Sequence, residues 1–225
     1  MRAHLERDLK RLKNEILLMG GMVEDATSRA VRALRERNGN LAERVMSGDD
    51  AIDNKELEVE DIILKILALH TPVAGDLRYI ISILKVNNDL ERIGDLAGHI
   101  ASRAKYLADR PPIAMPARFD ELIELILSAL RRSLQALINQ DSKLAFEVVI
   151  TDDKIDDLHW ESYRELLKRM TEGGEDIDLA FHTISVVRHL ERIGDHASNI
   201  AEDVYFMVEG EVIRHQVETG DQEDN

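Results

Sequence analysis

The sequence predicts an all-α protein, two tandem-duplicated antiparallel three-helix bundles built from six long helices, and three observations carry that prediction. Apolar residues recur at alternating steps of three and four along most of the chain, the spacing that gathers them on one helix face. Four Phe, four Tyr and one Trp among 225 residues are a thin supply for the core of a β-sandwich or barrel. The block Leu90-Glu91-Arg92-Ile93-Gly94-Asp95 returns intact as Leu190-Glu191-Arg192-Ile193-Gly194-Asp195, so the helical pattern is duplicated as well as long.

The first helix is drawn by Leu5, Leu9, Leu12, Ile16, Met19, Val23, Ala26 and Ala30, and Asn38-Gly39-Asn40 ends it. Val45, Ile52, Val59, Ile63 and Ile66 give the second stripe. Thr71-Pro72 supplies a cap and a proline at the first helical position for the third, whose stripe runs through Val86, Leu90, Ile93, Ala97, Ile100, Ala104 and Leu107 to Arg110-Pro111-Pro112. All four prolines fall at expected helix boundaries. After the only Pro-rich stretch, 111–116, the pattern returns. Leu122, Ile126, Ala129, Leu134 and Leu137 mark a fourth helix, and Val148, Ile155 and Leu166 a fifth. Gly173-Gly174 then breaks the chain before the sixth, which carries Val186, Leu190, Ile193, Ala197, Ile200, Val204 and Met207. Short connections between long helices imply antiparallel neighbours. The expected divisions are 1–112, 113–210 and an acidic, disordered tail over 211–225.

Residues 80–101 align with 180–201 at an offset of 100, and Gly48-Asp49-Asp50-Ala51-Ile52-Asp53 aligns with Thr151-Asp152-Asp153-Lys154-Ile155-Asp156 at an offset of 103. The repeat therefore covers two helices of each half.

Charge narrows the function. The net charge of −15 divides into −1 for residues 1–112 and −14 for 113–225, and a net-negative chain is repelled by nucleic-acid phosphates. Arg29, Arg32, Arg35 and Arg37 form the nearest thing to a basic stripe, but Glu36 interrupts it and no aromatic is interleaved; it reads as a solvated helix face. With no cysteine, disulfides, thiol catalysis and Cys-ligated metals are excluded. The polar start lacks the apolar core of a signal peptide, and no window approaches a membrane span. A cytoplasmic place is expected, with membrane contact only through partners.

Glu91 and Asp95 are four apart, so their carboxylates share a helix face, about 140° from the middle of the apolar stripe by helix geometry. They are expected to point away from the bundle's own core. Asp49 and Asp53 flank the second helix's stripe, and Asp152, Asp156, Glu191 and Asp195 repeat the arrangement. Converging carboxylates repel unless something cationic lies between them, and divalent or trivalent metals favour such oxygen donors. Acidic pairs at this spacing are also common on plain solvated helices, and Arg92 and Arg192 are available as countercharge. His99 shares a face with Asp95, and His159 stands three after Asp156, so each could join a site. No Glu has a His three residues on, which argues against a ferritin-like oxidase. Gly94 and Gly194 interrupt helices where glycine costs about 1 kcal/mol, and are expected to mark close approach of another helix. Nucleophile motifs and phosphate-cradling glycine loops are not visible.

The repeated Leu-Glu-Arg-Ile-Gly-Asp block, its extension His196-Ala197-Ser198-Asn199-Ile200-Ala201-Glu202, the duplicated layout and the length together resemble the PhoU family over residues 1–215. The resemblance implies that the two bundles pack side by side, each carrying Glu/Asp-x-x-x-Asp motifs at Asp49, Asp53, Glu91 and Asp95 or at Asp152, Asp156, Glu191 and Asp195. In some members these motifs hold a multinuclear iron cluster, with zinc, manganese, nickel and magnesium as alternatives. It also implies a non-enzymatic negative regulator of the phosphate-starvation (Pho) response. Such a cytoplasmic adaptor links the phosphate-specific ABC transporter, through its ATPase or membrane subunits, to a sensor histidine kinase at the inner face of the membrane. A homodimer is expected, since such bundles commonly pair. His189 stands where the first half has Asp89, so the two sites are expected to differ in charge or occupancy. Two readings compete: a metal-dependent hydrolase or oxidase, which needs an enclosed pocket with an open coordination position, and a metal-free scaffold whose carboxylates stay solvated.

Overall fold

The computed structural model describes residues 2–173 and 176–213. Among these, all regular structure is helical. Six long helices, α1 (Arg2–Arg35), α3 (Asp49–Leu69), α4 (Ala74–Ala108), α5 (Phe119–Asn139), α7 (Asp152–Thr171) and α8 (Ile177–Glu209), are joined by two short ones, α2 (Gly39–Met46) and α6 (Ser142–Val149). The expected stripes are the buried faces. Leu12, Ile16, Met19 and Val23 of α1, Leu90, Ile93, Ala97 and Ile100 of α4, and their α8 counterparts Leu190, Ile193, Ala197 and Ile200 are all at most 1% exposed. They belong to one continuous core that runs through both halves.

Two kinds of boundary differ from the sequence reading. The stripes from Val45 to Ile66 and from Val148 to Leu166 are not single helices, because the chain bends at Ser47-Gly48 between α2 and α3 and at Ile150-Thr151 between α6 and α7. The Ser47 hydroxyl donates to the Glu43 carbonyl there, and Thr151 does the same to Glu147 at the α6–α7 bend, so the break is part of the repeat. Asn38 and Asp141, 103 apart, cap the two short helices: the Asn38 side chain accepts from the Leu41 amide and the Asp141 side chain from the Lys143 and Leu144 amides. Asp141→Ala is expected to cost about 1 kcal/mol, read as a fall of about 2–4 °C in a thermal melt. The second difference is at Thr71-Pro72, which lies in the extended link between α3 and α4, and α4 begins at Ala74 with Val73 as its cap. Most of the expected tail, 214–225, lies outside the described residues; Ile213, within it, is 5% exposed.

Within the first half α1, α3 and α4 pack together, and within the second α5, α7 and α8; α4 packs along α8, and α1 along α5. The α4–α8 pairing is antiparallel in one register. Lys85 meets Asp203 at 2.9 Å, Asp89 meets His196 at 2.8 Å and Asn199 at 3.4 Å, the rings of His99 and His189 lie 5.3 Å apart, and Tyr106 stacks on His182. The register centres on Gly94 and Gly194. With the offset of 100, this places a pseudo-two-fold axis at the middle of the seam.

The arginine stripe is less solvated than the sequence reading holds. Arg35 pairs with Asp120 at 2.8 Å and Glu124 at 3.0 Å across the α1–α5 seam. Arg37 donates to the Leu107 carbonyl at 2.7 Å.

Candidate metal centres

Gly94 and Gly194 set the geometry. A Cβ at Gly94 would stand 3.1 Å from Cγ2 of Ile52 on α3, and one at Gly194 would stand 3.1 Å from Cγ2 of Ile155 on α7. Both distances are tighter than nine in ten real Cβ contacts, so each isoleucine would have to give way by a few tenths of an ångström. Close approach, the expected role of these glycines, lets α3 lie against α4, and α7 against α8, at the level of the acidic residues.

In the first half this brings Asp49 and Asp53 of α3 to Asp95 of α4, each offering a carboxylate oxygen within 4.8 Å of the others. In the second half Asp156 of α7 meets Glu191 and Asp195 of α8 within the same limit. Six of the eight expected residues therefore converge, and two stand beside the groups. Glu91 lies 3.4 Å from Arg92, which is also 3.7 Å from Asp95, so one arginine serves as local countercharge. Asp152 accepts a hydrogen bond from Ser198 Oγ at 2.9 Å.

The groups lie off the apolar core, as expected, but several are less open to solvent than a single helix suggests. Angles taken around one helix cannot register the neighbour that covers its flank. The Glu91 and Glu191 side chains are only 20% and 22% exposed, because α3 and α7 shelter them. Burial pushes the carboxyls of Asp49, Glu91, Asp152, Asp156 and Glu191 above their usual range, with neighbouring carboxylates adding to it. Asp195 is carried furthest, to about 7, by burial first and then by the charges of Glu191, Asp152 and Asp156.

Partly desolvated carboxylates that oppose one another favour occupation by a cation of high charge density. Oxygen-only donors at this spacing fit a hard or borderline metal ion, and two half-buried helix pairs hold them. His99 leans to the α4–α8 seam, where it faces His189. Burial and nearby cationic groups lower the His189 imidazole to about 4. Asp89 is likewise occupied by His196, so the Asp89/His189 difference belongs to the seam and leaves the donor sets untouched. His159 stands at the second site, its Nδ1 3.9 Å from Glu191 Oε1. The sequence reading missed Ser198, which holds Asp152, and Glu56 of the first half. Carrying the 103-residue offset three positions past Asp53 and Asp156 would have drawn attention to Glu56.

The chain is similar to known proteins over more than nine-tenths of its length. A family model described as the PhoU domain matches twice, over residues 16–104 and 119–204. The phosphate-specific transport system accessory protein PhoU homolog of Aquifex aeolicus is 39% identical over 212 residues, covering 94% of this chain and 96% of that protein. The crystal structure of PhoU from Pseudomonas aeruginosa superposes with a TM-score of 0.89 at 36% identity, over 92% of this chain and 99% of that one. That of the phosphate transport system regulatory protein PhoU from Streptococcus pneumoniae gives 0.86 at 28% identity, over 92% and 98%.

Proposed function

This chain belongs to the PhoU family, and from that membership we propose that it is a phosphate-transport accessory protein that holds the phosphate-starvation response off when phosphate is plentiful. In this reading it acts without catalysis, as a cytoplasmic homodimeric adaptor between the phosphate-specific ABC transporter and a sensor histidine kinase. The observation that carries the reading is the tandem match along both halves to accessory and regulatory proteins.

The surface supports an adaptor. Leu57 and Leu64 of α3 are 57% and 65% exposed, and their repeat counterparts Trp160 and Leu167 of α7 are 51% and 43% exposed. Ile81 and Phe181, 100 residues apart, are also exposed. Leu57 and Leu64 are seven apart on one helix and so share a face, as do Trp160 and Leu167, which gives each half an apolar strip that a partner could cover. No helix among the described residues is long and apolar enough to cross a membrane, so the proposed membrane contact runs through the partners.

Metal belongs to the same proposal. Asp49, Asp53 and Asp95 would hold one site and Asp156, Glu191 and Asp195 the other, with Glu91 and Asp152 beside them. A bound cation, whether a multinuclear iron cluster, zinc, manganese, nickel or magnesium, would offset the carboxylate repulsion and tie α3 to α4 and α7 to α8. Protein purified without chelator is expected to contain metal that Asp95→Ala plus Asp195→Ala loses; equal metal content in both would sink the metal reading. Separately, deleting the gene is expected to switch on a phosphate-starvation reporter in phosphate-rich medium, and restoring this chain to silence it. A reporter indifferent to the deletion overturns the regulatory reading.

A further inference from the structure

The two carboxylate sites are copies in chain order but differ in donor chemistry. The offset of 103 that carries Asp53 onto Asp156 carries Glu56 onto His159. Each follows its aspartate by three residues, so on a helix it shares that aspartate's face. His159 is only 8% exposed. Its Nδ1 is sealed from solvent, has no hydrogen-bond partner, and lies 3.9 Å from Oε1 of Glu191, a member of the second trio. A buried imidazole nitrogen left unpaired carries a desolvation cost, and here it sits at the edge of the Asp156, Glu191 and Asp195 donor cluster. Glu56, its counterpart, is half-buried on the face of α3 that carries Asp53, so the position that holds a nitrogen beside the second trio holds an oxygen beside the first.

We infer that the second site carries His159 as a nitrogen donor and takes a divalent transition ion that accepts imidazole, such as Zn²⁺ or Fe²⁺, while the first is an all-oxygen site that suits Mg²⁺ or Mn²⁺. This rests on the proposal that the trios bind metal. Imidazole suits zinc and iron, and carboxylate oxygens alone suit magnesium and manganese, so the single exchange of Glu56 for His159 separates two otherwise repeated sites in metal preference.

The test uses the full chain stripped by chelator, with ¹⁵N-labelled histidine, titrated with Zn²⁺ and separately with Mn²⁺. Zn²⁺ is expected to shift the ring-nitrogen resonance that disappears in His159→Ala. His159→Ala is expected to weaken one Zn²⁺ site by at least about tenfold, a loss seen even for outer-shell partners, and Glu56→Ala to leave that site's affinity unchanged. His159→Glu, which keeps the donor count, is expected to raise Mn²⁺ affinity at the second site while Zn²⁺ affinity falls. If wild-type protein binds Zn²⁺ at a site that Asp195→Ala removes, yet the His159 resonance does not move, the nitrogen donor is refuted and the metal sites stand. If wild-type protein binds neither ion, the inference and the metal reading fall together. The shift is read on the unsubstituted protein, and His159→Gln assigns the same resonance if His159→Ala fails to fold.

Discussion

Replacing Gly194 with valine is expected to lower stability by about 2–3 kcal/mol, the upper part of the usual cost of overpacking a filled contact. The new Cβ would enter at 3.1 Å from Ile155 Cγ2 and 3.8 Å from Ile126 Cγ1 before either γ-methyl is placed. Ile155 and Ile126 are both fully buried, so neither can swing into solvent. Valine's better helix propensity returns only a few tenths of a kcal/mol. For a chain of this size the change corresponds to a fall of about 4–12 °C in melting temperature by circular dichroism. Combining Gly194→Val with Ile155→Ala is expected to cost less than the sum of the single changes, because the smaller side chain vacates the space the valine needs. An unchanged melt for Gly194→Val would mean that α7 does not lie against α8 as described. The same substitution also moves Asp156 away from Glu191 and Asp195, so metal content is expected to fall with stability.

Asp195→Asn is expected to change stability in opposite directions with and without metal. In the stripped protein the Asp195 carboxyl lies at about 7 instead of 3.8, so the folded state holds its proton more tightly than the unfolded chain does. That contribution is fully present below pH 3.8 and is lost as pH rises through about 7. Fully sealed, the shift would correspond to about 4 kcal/mol; the site is partly open to water, and screening reduces the effect to the order of 1–2 kcal/mol. Stripped Asp195→Asn is therefore expected to match wild type near pH 4 and to exceed it by that amount near pH 8. With metal restored at a hundred times its dissociation constant, wild type gains about 2.7 kcal/mol by mass action, and the variant gains less. Thermal melts at the two pH values, with and without metal, check all four arms. A variant that follows wild type in every arm would remove Asp195 from the site.

Much of this architecture was legible in the chain because its cause is local. The steps of three and four through Leu90, Ile93, Ala97 and Ile100 place those residues inside whatever the rest of the chain does. The repeated block announced the duplication, and mid-helix glycines announced a close approach. What escaped depends on neighbours. The carboxylates of Glu91 and Asp95 lie on a polar face by angle, yet α3 covers that flank, and a helical wheel has no second helix on it. The bend at Ser47-Gly48 escaped because the apolar stripe continues across it while two capping contacts redirect the backbone. Asp89 and His189 read as a difference between sites, because their partners, His196 and His99, come from the other half of the chain. Of the eight acidic residues singled out, Asp49, Asp53, Asp95, Asp156, Glu191 and Asp195 converge, whereas Glu91 and Asp152 are drawn aside by Arg92 and Ser198, which spacing alone does not rank.

The antiparallel register between α4 and α8 bears on self-association. A duplicated chain whose halves meet across a pseudo-two-fold seam faces a rival arrangement, in which each half pairs with its own kind from another molecule. Exchange at this seam would place Lys85 of one first half beside Arg103 of another, a contact between like charges, in place of the Lys85–Asp203 ion pair. Two second halves would set Asp203 against Ser185 and forfeit the same pair. The divergence of Lys85 from Ser185 and of Asp203 from Arg103 thus makes the covalent arrangement the favoured one, so a fused pair of similar bundles closes on itself instead of polymerising through exchanged halves.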